Sequence, residues 1–323
     1  MSKKILIISG DPNSINSEII FKCWKKIKSP IKKNIYLISN IRLLKNQFGK
    51  LKYNIPMKKV DNIKATCKKN LLKVIDVDLK FKDPFNINIK ERSKFVIKSI
   101  DLAHNIAIKN NNNIAGIINC AIDKRLLSNR GIGVTEYLAR KSNIKKGAEV
   151  MLIANKELSI SPLTTHVDLK DVNKNIVNSS IVKKIKIIDI WFKKNLNIKP
   201  KIAVLGLNPH NAELRKNSEE KKIISPAIKK LKKKGLKIYG PLAADSTFIE
   251  HYKKYNVIVG MYHDQVLTPF KALYKFNAIN LTLGLKYLRT SPDHGTAVDI
   301  IKKKIANETS LLNCINFIYK LKK

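Results

Sequence analysis

Acidic residues are scarce in this chain of 323: 24 Asp and Glu stand against 64 Lys and Arg, a formal net charge of +40 at pH 7. Such an excess ordinarily points to a polyanionic partner. Most of it is Lys, accompanied by abundant Ile and Asn, three residues that share A/T-rich codons, so the bias reads as genome composition spread over solvated faces. Arg, the residue suited to planar phosphates and base edges, is rare, and no segment combines a dense basic run with interleaved aromatics. No specific nucleic-acid partner is expected. A non-enzymatic polyanion-binding role stands as the remote alternative, and it would require steeply salt-dependent binding.

Cysteine is sparse too. Cys23, Cys67, Cys120 and Cys314 form no CxxC and no zinc-like spacing, and each sits among apolar neighbours; free buried thiols in a reducing compartment are expected. Long apolar runs are missing. The opening MSKKILIISGDPN holds a run too short for a signal-peptide core, and no segment approaches membrane-spanning length. A cytoplasmic chain with no membrane partner is expected. Glycine-rich nucleotide signatures are also absent: there is no G-x-x-x-x-G-K-[ST], and the one G-x-G, Gly131 to Gly133, lacks the third small residue. Any dinucleotide must bind without a Rossmann fingerprint.

What is present is an alternation of apolar, strand-length runs with helical patterns. KILIIS (4–9), NIYLIS (34–39), LLKVIDV (71–77) and NIAGIIN (113–119) are joined by a helical face of Ile20, Cys23, Trp24 and Ile27 and by a long helix around Phe95 to Ile108. EVMLIA (149–154), KIAVLGL (201–207), NVIVGMY (256–262) and AINLTLGL (278–285) repeat the theme, with helices through Ile181 to Trp191 and near 219–234. Continuous apolar strands separated by helices predict an α/β fold of mostly parallel sheets covered on both faces. The length suits two domains.

The six histidines separate into two kinds. His104, within the long helix, and His251, in IEHYKKY, are read as structural or solvated. His166 in SPLTTHVDLKDV, His210 in AVLGLNPHNAE and His263 in VGMYHDQ each follow an apolar strand, and His294 in RTSPDHGTA precedes a helix start. Parallel sheets gather strand carboxyl ends at a common edge, where ligands bind. Three neutral imidazoles with nearby carboxylates suit a divalent transition metal with open positions. Asp245 in GPLAADSTF and Asp264 are candidates for acid/base work or for orienting a metal-bound histidine. Lys271, Asn280 and Arg289 suit phosphate or carboxylate.

Taken together, GDPNSINSEI, AIDK, GVTEYLA, TTHVDLKDV, LNPHNAE, GPLAADSTF, MYHDQVLTPFK and NLTLGLKYLRTSPDHGTAVD resemble, in order and over nearly the whole chain, the 4-hydroxythreonine-4-phosphate dehydrogenase family of vitamin B6 biosynthesis. The resemblance implies two α/β/α domains like those of isocitrate and isopropylmalate dehydrogenases, here about 1–130 plus 290–323 and 131–289. It also implies a homodimer whose active site lies in a cleft between domains at the subunit interface, with the second domain carrying the metal site. His166, His210 and His263 would bind the metal (Zn, Mg, Mn or Co), one of them from the neighbouring subunit. Thr135, Lys271, Asn280 and Arg289 would hold a small phosphorylated hydroxy-amino acid; Lys271, Asp245 and Asp264 would serve catalysis. His294, Gly295 and Asp299 would meet the adenosine end of NAD or NADP.

Three departures from the family pattern stand out. The His that precedes Thr in the family's GHTEF segment is Val134 here, two loop glycines are replaced by Ser14 and Asn16, and an Asn in a PINK-like segment is Asp123. One lost polar substrate contact costs about 1–3 kcal/mol, so a related substrate lacking the amine, a threonate or erythronate 4-phosphate, is the alternative.

Overall fold

The computed structural model describes residues 3–65, 70–130, 133–144 and 149–321, so Cys67, Gly131 and Ile132 lie outside the described residues. Twelve strands occur among the described residues. In chain order they are β1 (Lys4–Ile8), β2 (Ile35–Ser39), β3 (Met57–Val60), β4 (Leu72–Asp76), β5 (Ile114–Asn119) and β6 (Val150–Ala154). There follow β7 (Ser159–Pro162), β8 (Ile202–Leu205), β9 (Ile238–Leu242), β10 (Val257–Gly260), β11 (Ile279–Leu283) and β12 (Arg289–Pro292). The chain divides into two compact units, Met1–Ser142 with Leu285–Lys323, and Asn143–Gly284.

In the first unit the strand order is β3-β4-β2-β1-β5-β12, every neighbour parallel. β2 and β5 are buried along their whole length, which is why their sequences are uninterrupted apolar runs rather than alternating ones. One face is covered by the helix Ile89–Lys109, whose Phe95, Val96, Ile100 and Ala103 share a cluster with Leu6, Ile8, Tyr36 and Ile38. Asn88 starts that helix by accepting the Glu91 N–H at 3.0 Å, an N-cap that satisfies an otherwise unpaired donor. On the other face Cys23 and Trp24 of the helix Asn16–Lys26 and Leu311 and Ile315 of the helix Thr309–Leu321 surround Ile7, Ile35 and Leu37.

The crossings between units lie at 142/143 and 284/285, not at the expected 130/131 and 289/290. The reason is apolar packing: Tyr137 and Leu138, of the helix Val134–Lys141, and Tyr287 are buried in the same cluster as Phe95.

In the second unit the order is β11-β6-β7-β10-β8-β9. β7, β10, β8 and β9 run parallel, while β6 is antiparallel to both its neighbours. The sheets are therefore mostly parallel, as the α/β reading requires. The β6–β7 hairpin turns on Asn155, whose Oδ1 accepts the N–H groups of Glu157 and Leu158 at 2.8 and 2.9 Å, an Asx turn. Ile153, Ile160, Ala203 and Ile258 pack against Val266 and Phe270 of the helix His263–Tyr274.

Cys23, Cys120 and Cys314 are free and buried. Burial pushes the Cys314 thiol up to about 12, which leaves it protonated and inert at neutral pH. No described helix is long and apolar enough to cross a membrane.

Candidate active site

β7, β10, β8 and β9 are consecutive parallel strands, so their carboxyl ends share one edge. His166 follows β7, His263 follows β10, His210 follows β8 and Asp245 follows β9. With strands roughly 4.8 Å apart, side chains far apart in sequence emerge side by side.

The rings of His166 and His263 are neighbours, with centroids 6.4 Å apart. His263 is the first residue of its helix, and its Nδ1 lies 2.7 Å from Asp264 Oδ1. A carboxylate on one ring nitrogen fixes the tautomer and makes the other, Nε2, the atom available to an electrophile. Asp264 is thus placed to orient the His263 ring.

His210 stands on unusual backbone. It and the next four residues all have φ between 49° and 57°, a left-handed turn that costs non-glycine residues roughly 1–2 kcal/mol each. The turn is held from outside. Glu220, fully buried, accepts the N–H groups of Leu207 and Asn208 at 2.8 and 2.9 Å, and Asn211 donates to the Pro241 carbonyl of β9 at 3.2 Å. Burial alone would raise the Glu220 pKa; the backbone and side-chain N–H groups of Asn208 and the Leu207 N–H bring it below the usual carboxylate value. Sequence reasoning missed Glu220, the second of two adjacent acids ahead of a Lys-rich stretch.

Among the described residues no group of three or more His, Cys, Asp or Glu side chains is assembled to hold a metal ion. The expected trio therefore does not close within one chain. What the chain does supply fits a divalent transition metal in donor chemistry: two adjacent imidazoles, one of them oriented by a carboxylate.

The remaining candidates fall in separate places. Asp245 is exposed, its Oδ1 accepting the Ser246 N–H at 2.7 Å. Lys271 is exposed on the same helix as His263, eight residues on, roughly 12 Å at 1.5 Å per residue. Asn280 lies on β11, and its buried Oδ1 has no hydrogen-bond partner among the described residues.

The first unit brings Arg289 and Thr135 together. Arg289, 3% exposed on β12, donates to Asn119 Oδ1 at 2.6 Å and to Thr135 Oγ1 at 3.1 Å. Burial lowers its pKa to about 10, so it remains a cation at neutral pH. Val134, beside Thr135, packs against the apolar cluster of that unit. His294 places Nδ1 2.9 Å from the Gly295 carbonyl, and its Nε2 is buried without a hydrogen-bond partner among the described residues. Burial lowers the His294 pKa. Gly295 and Asp299 are exposed nearby, Asp299 in a short turn of 3₁₀ helix. The segment is anchored by the Ile15 N–H on the Thr296 carbonyl at 3.2 Å.

The two lost glycines have a structural answer. Neither Ser14 nor Asn16 adopts a positive φ. Ser14 Oγ donates to the Asp11 carbonyl at 2.6 Å, and Asn16 Nδ2 donates to the Ala121 carbonyl at 2.8 Å. Gly10 alone in this loop has φ +76°, and a Cβ there would lie 2.5 Å from the Ala121 carbonyl oxygen. Asp123 is pulled below the usual carboxylate range by hydrogen bonds from Arg125.

Comparison with known proteins bears on these features together. The family model described as pyridoxal phosphate biosynthetic protein PdxA matches residues 31–318. The 4-hydroxythreonine-4-phosphate dehydrogenase of Sulfurihydrogenibium sp. strain YO3AOP1 is 36% identical over 329 residues, covering 99% of this chain and 98% of its own. That of Aquifex aeolicus strain VF5 is 37% identical over 322 residues, covering 98% of each. The crystal structure of 4-hydroxythreonine-4-phosphate dehydrogenase from Klebsiella pneumoniae superposes over 100% of both chains with a TM-score of 0.86 at 27% identity. A terephthalate 1,2-cis-dihydrodiol dehydrogenase from Burkholderia xenovorans LB400 shares the fold, with a TM-score of 0.65 at 19% identity over 99% of this chain and 98% of its own. Near-complete coverage at this identity, on a chain whose histidine loops crown adjacent strands, places it in the PdxA family of pyridoxal phosphate biosynthesis, the 4-hydroxythreonine-4-phosphate dehydrogenases, and so among the oxidoreductases.

Proposed function

We propose that the chain oxidises 4-phosphooxy-L-threonine with NAD or NADP, aided by a divalent metal (Zn, Mg, Mn or Co), as a cytoplasmic homodimer. The observation that carries this reading is the placement of His166, His263, His210 and Asp245 over four consecutive parallel strand ends. When bound, the nicotinamide accepts a hydride from the carbinol carbon and the metal acts as a Lewis acid at the hydroxyl oxygen.

His166, His210 and His263 are the proposed ligands, one of the three from the partner subunit, which accounts for their failure to close as a trio in one chain. Asp264 holds the His263 ring in place. Asp245 and Lys271 are the proposed carriers of the hydroxyl proton; both are exposed and titratable. Arg289 and Lys271 neutralise the phosphate and carboxylate, with Thr135 and Asn280 supplying neutral hydrogen bonds; the unpartnered Asn280 Oδ1 is an acceptor suited to the substrate ammonium. His294, whose Nε2 is likewise buried without a partner, is the proposed contact for the cofactor with Gly295 and Asp299. The product, 2-amino-3-oxo-4-phosphooxybutanoate, is a β-keto acid. It loses CO₂, the bonding electrons remaining on carbon until a proton is taken up, to give 3-amino-2-oxopropyl phosphate.

A second reading keeps the chemistry and changes the substrate to threonate or erythronate 4-phosphate. Val134 favours it, because that side chain packs into apolar surroundings and offers no hydrogen bond. The test is NAD(P)H formation on all three phosphorylated acids, before and after chelation and with each metal restored. The first reading expects chelator-sensitive turnover with the highest kcat/KM for 4-phosphooxy-L-threonine. Higher kcat/KM for an acid without the amine selects the second, and metal-replete protein inert on all three overturns both.

A further inference from the structure

The histidine loops of the second unit are joined by side chains outside the candidate ligand set. Met261, two residues before His263, is the junction. Its carbonyl accepts both Thr164 Oγ1 at 2.8 Å and the Thr164 N–H at 3.2 Å, and Thr164 lies two residues before His166. Its N–H donates to Gln265 Oε1 at 2.7 Å, and Gln265 Nε2 donates to the Gly206 carbonyl at 2.7 Å. Gly206 directly follows β8, four residues before His210. One amide side chain therefore spans from the β10 loop to the β8 loop.

The fit around this amide is close. A Cβ at Gly260 would fall 2.9 Å from Gln265 Oε1 and 2.5 Å from Val266 Cγ1, and one at Gly206 would meet Asn211 Oδ1 at 2.1 Å. Both strand ends thus lack a side chain where the bridge and the His210 turn come against them. The Oε1 half of the contact is local, because a Gln in the third helical position reaching back to a backbone N–H just before the helix is a form of N-terminal capping. The Nε2 half is not local: Gly206 is 59 residues away.

We infer that Gln265 is a positioning residue that fixes the loop carrying His263 against the loop carrying His210 through its bond to the Gly206 carbonyl, and that Thr164 fixes the loop of His166 in the same way, so that each chain holds its histidines in place for whichever of the two sites of the proposed dimer they serve. The inference rests on the reading of these histidines as metal ligands. Groups that orient metal ligands typically change affinity by about 10–100-fold when removed.

The experiment is titration of the full-length apo-protein with Co²⁺ alone, followed by calorimetry and by visible ligand-field absorption, with thermal unfolding in parallel. Gln265→Glu keeps an acceptor for the Met261 N–H and loses the donor to Gly206, while Gln265→Met loses both. Both variants are expected to bind Co²⁺ about 10–100-fold more weakly with an altered absorption band, and Gln265→Glu is expected to keep a near-native melting temperature. In a His210→Ala background Gln265→Glu should weaken affinity no further, since its effect passes through His210.

Native affinity and spectrum in Gln265→Glu would reduce the residue to a helix cap and overturn the inference, and so would a full additional loss in the His210→Ala background. If Gln265→Met does not fold, the Glu variant and the double variant still decide. Wild-type protein that binds no Co²⁺ would instead remove the metal reading beneath the inference, a distinguishable result.

Discussion

The loop after β1 and the loops after β7, β10 and β8 occupy equivalent positions, each at the carboxyl end of a parallel strand, yet they spend their polar side chains in opposite ways. After β1, Asp11 is 1% exposed and its carboxylate takes Arg92 Nε at 2.9 Å and Nη2 at 2.5 Å. Asn13 exchanges hydrogen bonds with the Ile87 backbone at 2.9 and 3.0 Å. Ser14 and Asn16 bind carbonyls of their own unit. Over the histidine strands, by contrast, the side chain of His263 is 35% exposed and that of Asp264 76%. Strand-end position nominates a site; what sets the histidine edge apart is polar groups left facing solvent on a backbone fixed by others.

Substituting one residue in each region sharpens the contrast. The largest expected effect is at His263→Ala: removing a proposed ligand would forfeit Lewis-acid assistance worth several kcal/mol, a fall in kcat of roughly a thousandfold or more, with the urea midpoint nearly unchanged. Steady-state kinetics beside urea unfolding checks it, and a comparable loss of stability would erase the distinction. Gly10→Ala should do the reverse. Its φ of +76° and the 2.5 Å approach of the Ala121 carbonyl oxygen combine left-handed strain of about 1–2 kcal/mol with a steric clash, so the expected result is a lower unfolding free energy with unchanged Co²⁺ affinity. Weakened metal binding in this variant would show that the two loops are coupled.

The smallest effect concerns pH. His104 is buried with Nδ1 2.9 Å from Tyr287 Oη; burial first, and then Lys141, hold its pKa below the ordinary value, with Asp101 opposing. The unfolded chain therefore protonates first as pH falls. The associated stability is complete above the unfolded value of about 6.5 and declines as pH drops through it toward the folded one. His104→Gln should flatten the dependence of the urea midpoint as pH falls below about 6.5, leaving a remainder from His294, which is also depressed by burial. An undiminished slope would exclude His104 as a source.

The parts of the fold that could be read from sequence were those whose burial is written into composition. β2 and β5 are buried throughout and read as apolar runs. β3, β7, β9 and β12, with the sequences MKKV, SISP, IYGPL and RTSP, carry polar residues or proline and resemble loops. β7 is nonetheless fully buried, because its polar groups are paired, Ser161 Oγ donating to the Met151 carbonyl at 2.8 Å. The same division holds at the site. His210 and His263 stood out as candidates because each follows a recognisable apolar strand, whereas His166 follows β7, which reads as a loop, and stood out through its polar TTHVDLKDV string. Glu220 and Gln265 were not, since their partners at Asn208 and Gly206 are set by folding and not by spacing.

Strand order gives the histidine edge a history. β7 and β8 are synthesised first, and β10, which separates them in the finished sheet, arrives only after β9. A ribosome delivering the chain from its N-terminus therefore presents His166 and His210 on strands that have no common neighbour, and the middle position fills late through long-range pairing, an intrinsically slow step. Met261, the residue that joins the loops, arrives immediately behind the strand that makes them adjacent. A nascent chain halted before Val257 would hold both outer histidines and lack the strand and junction that bring them to one edge.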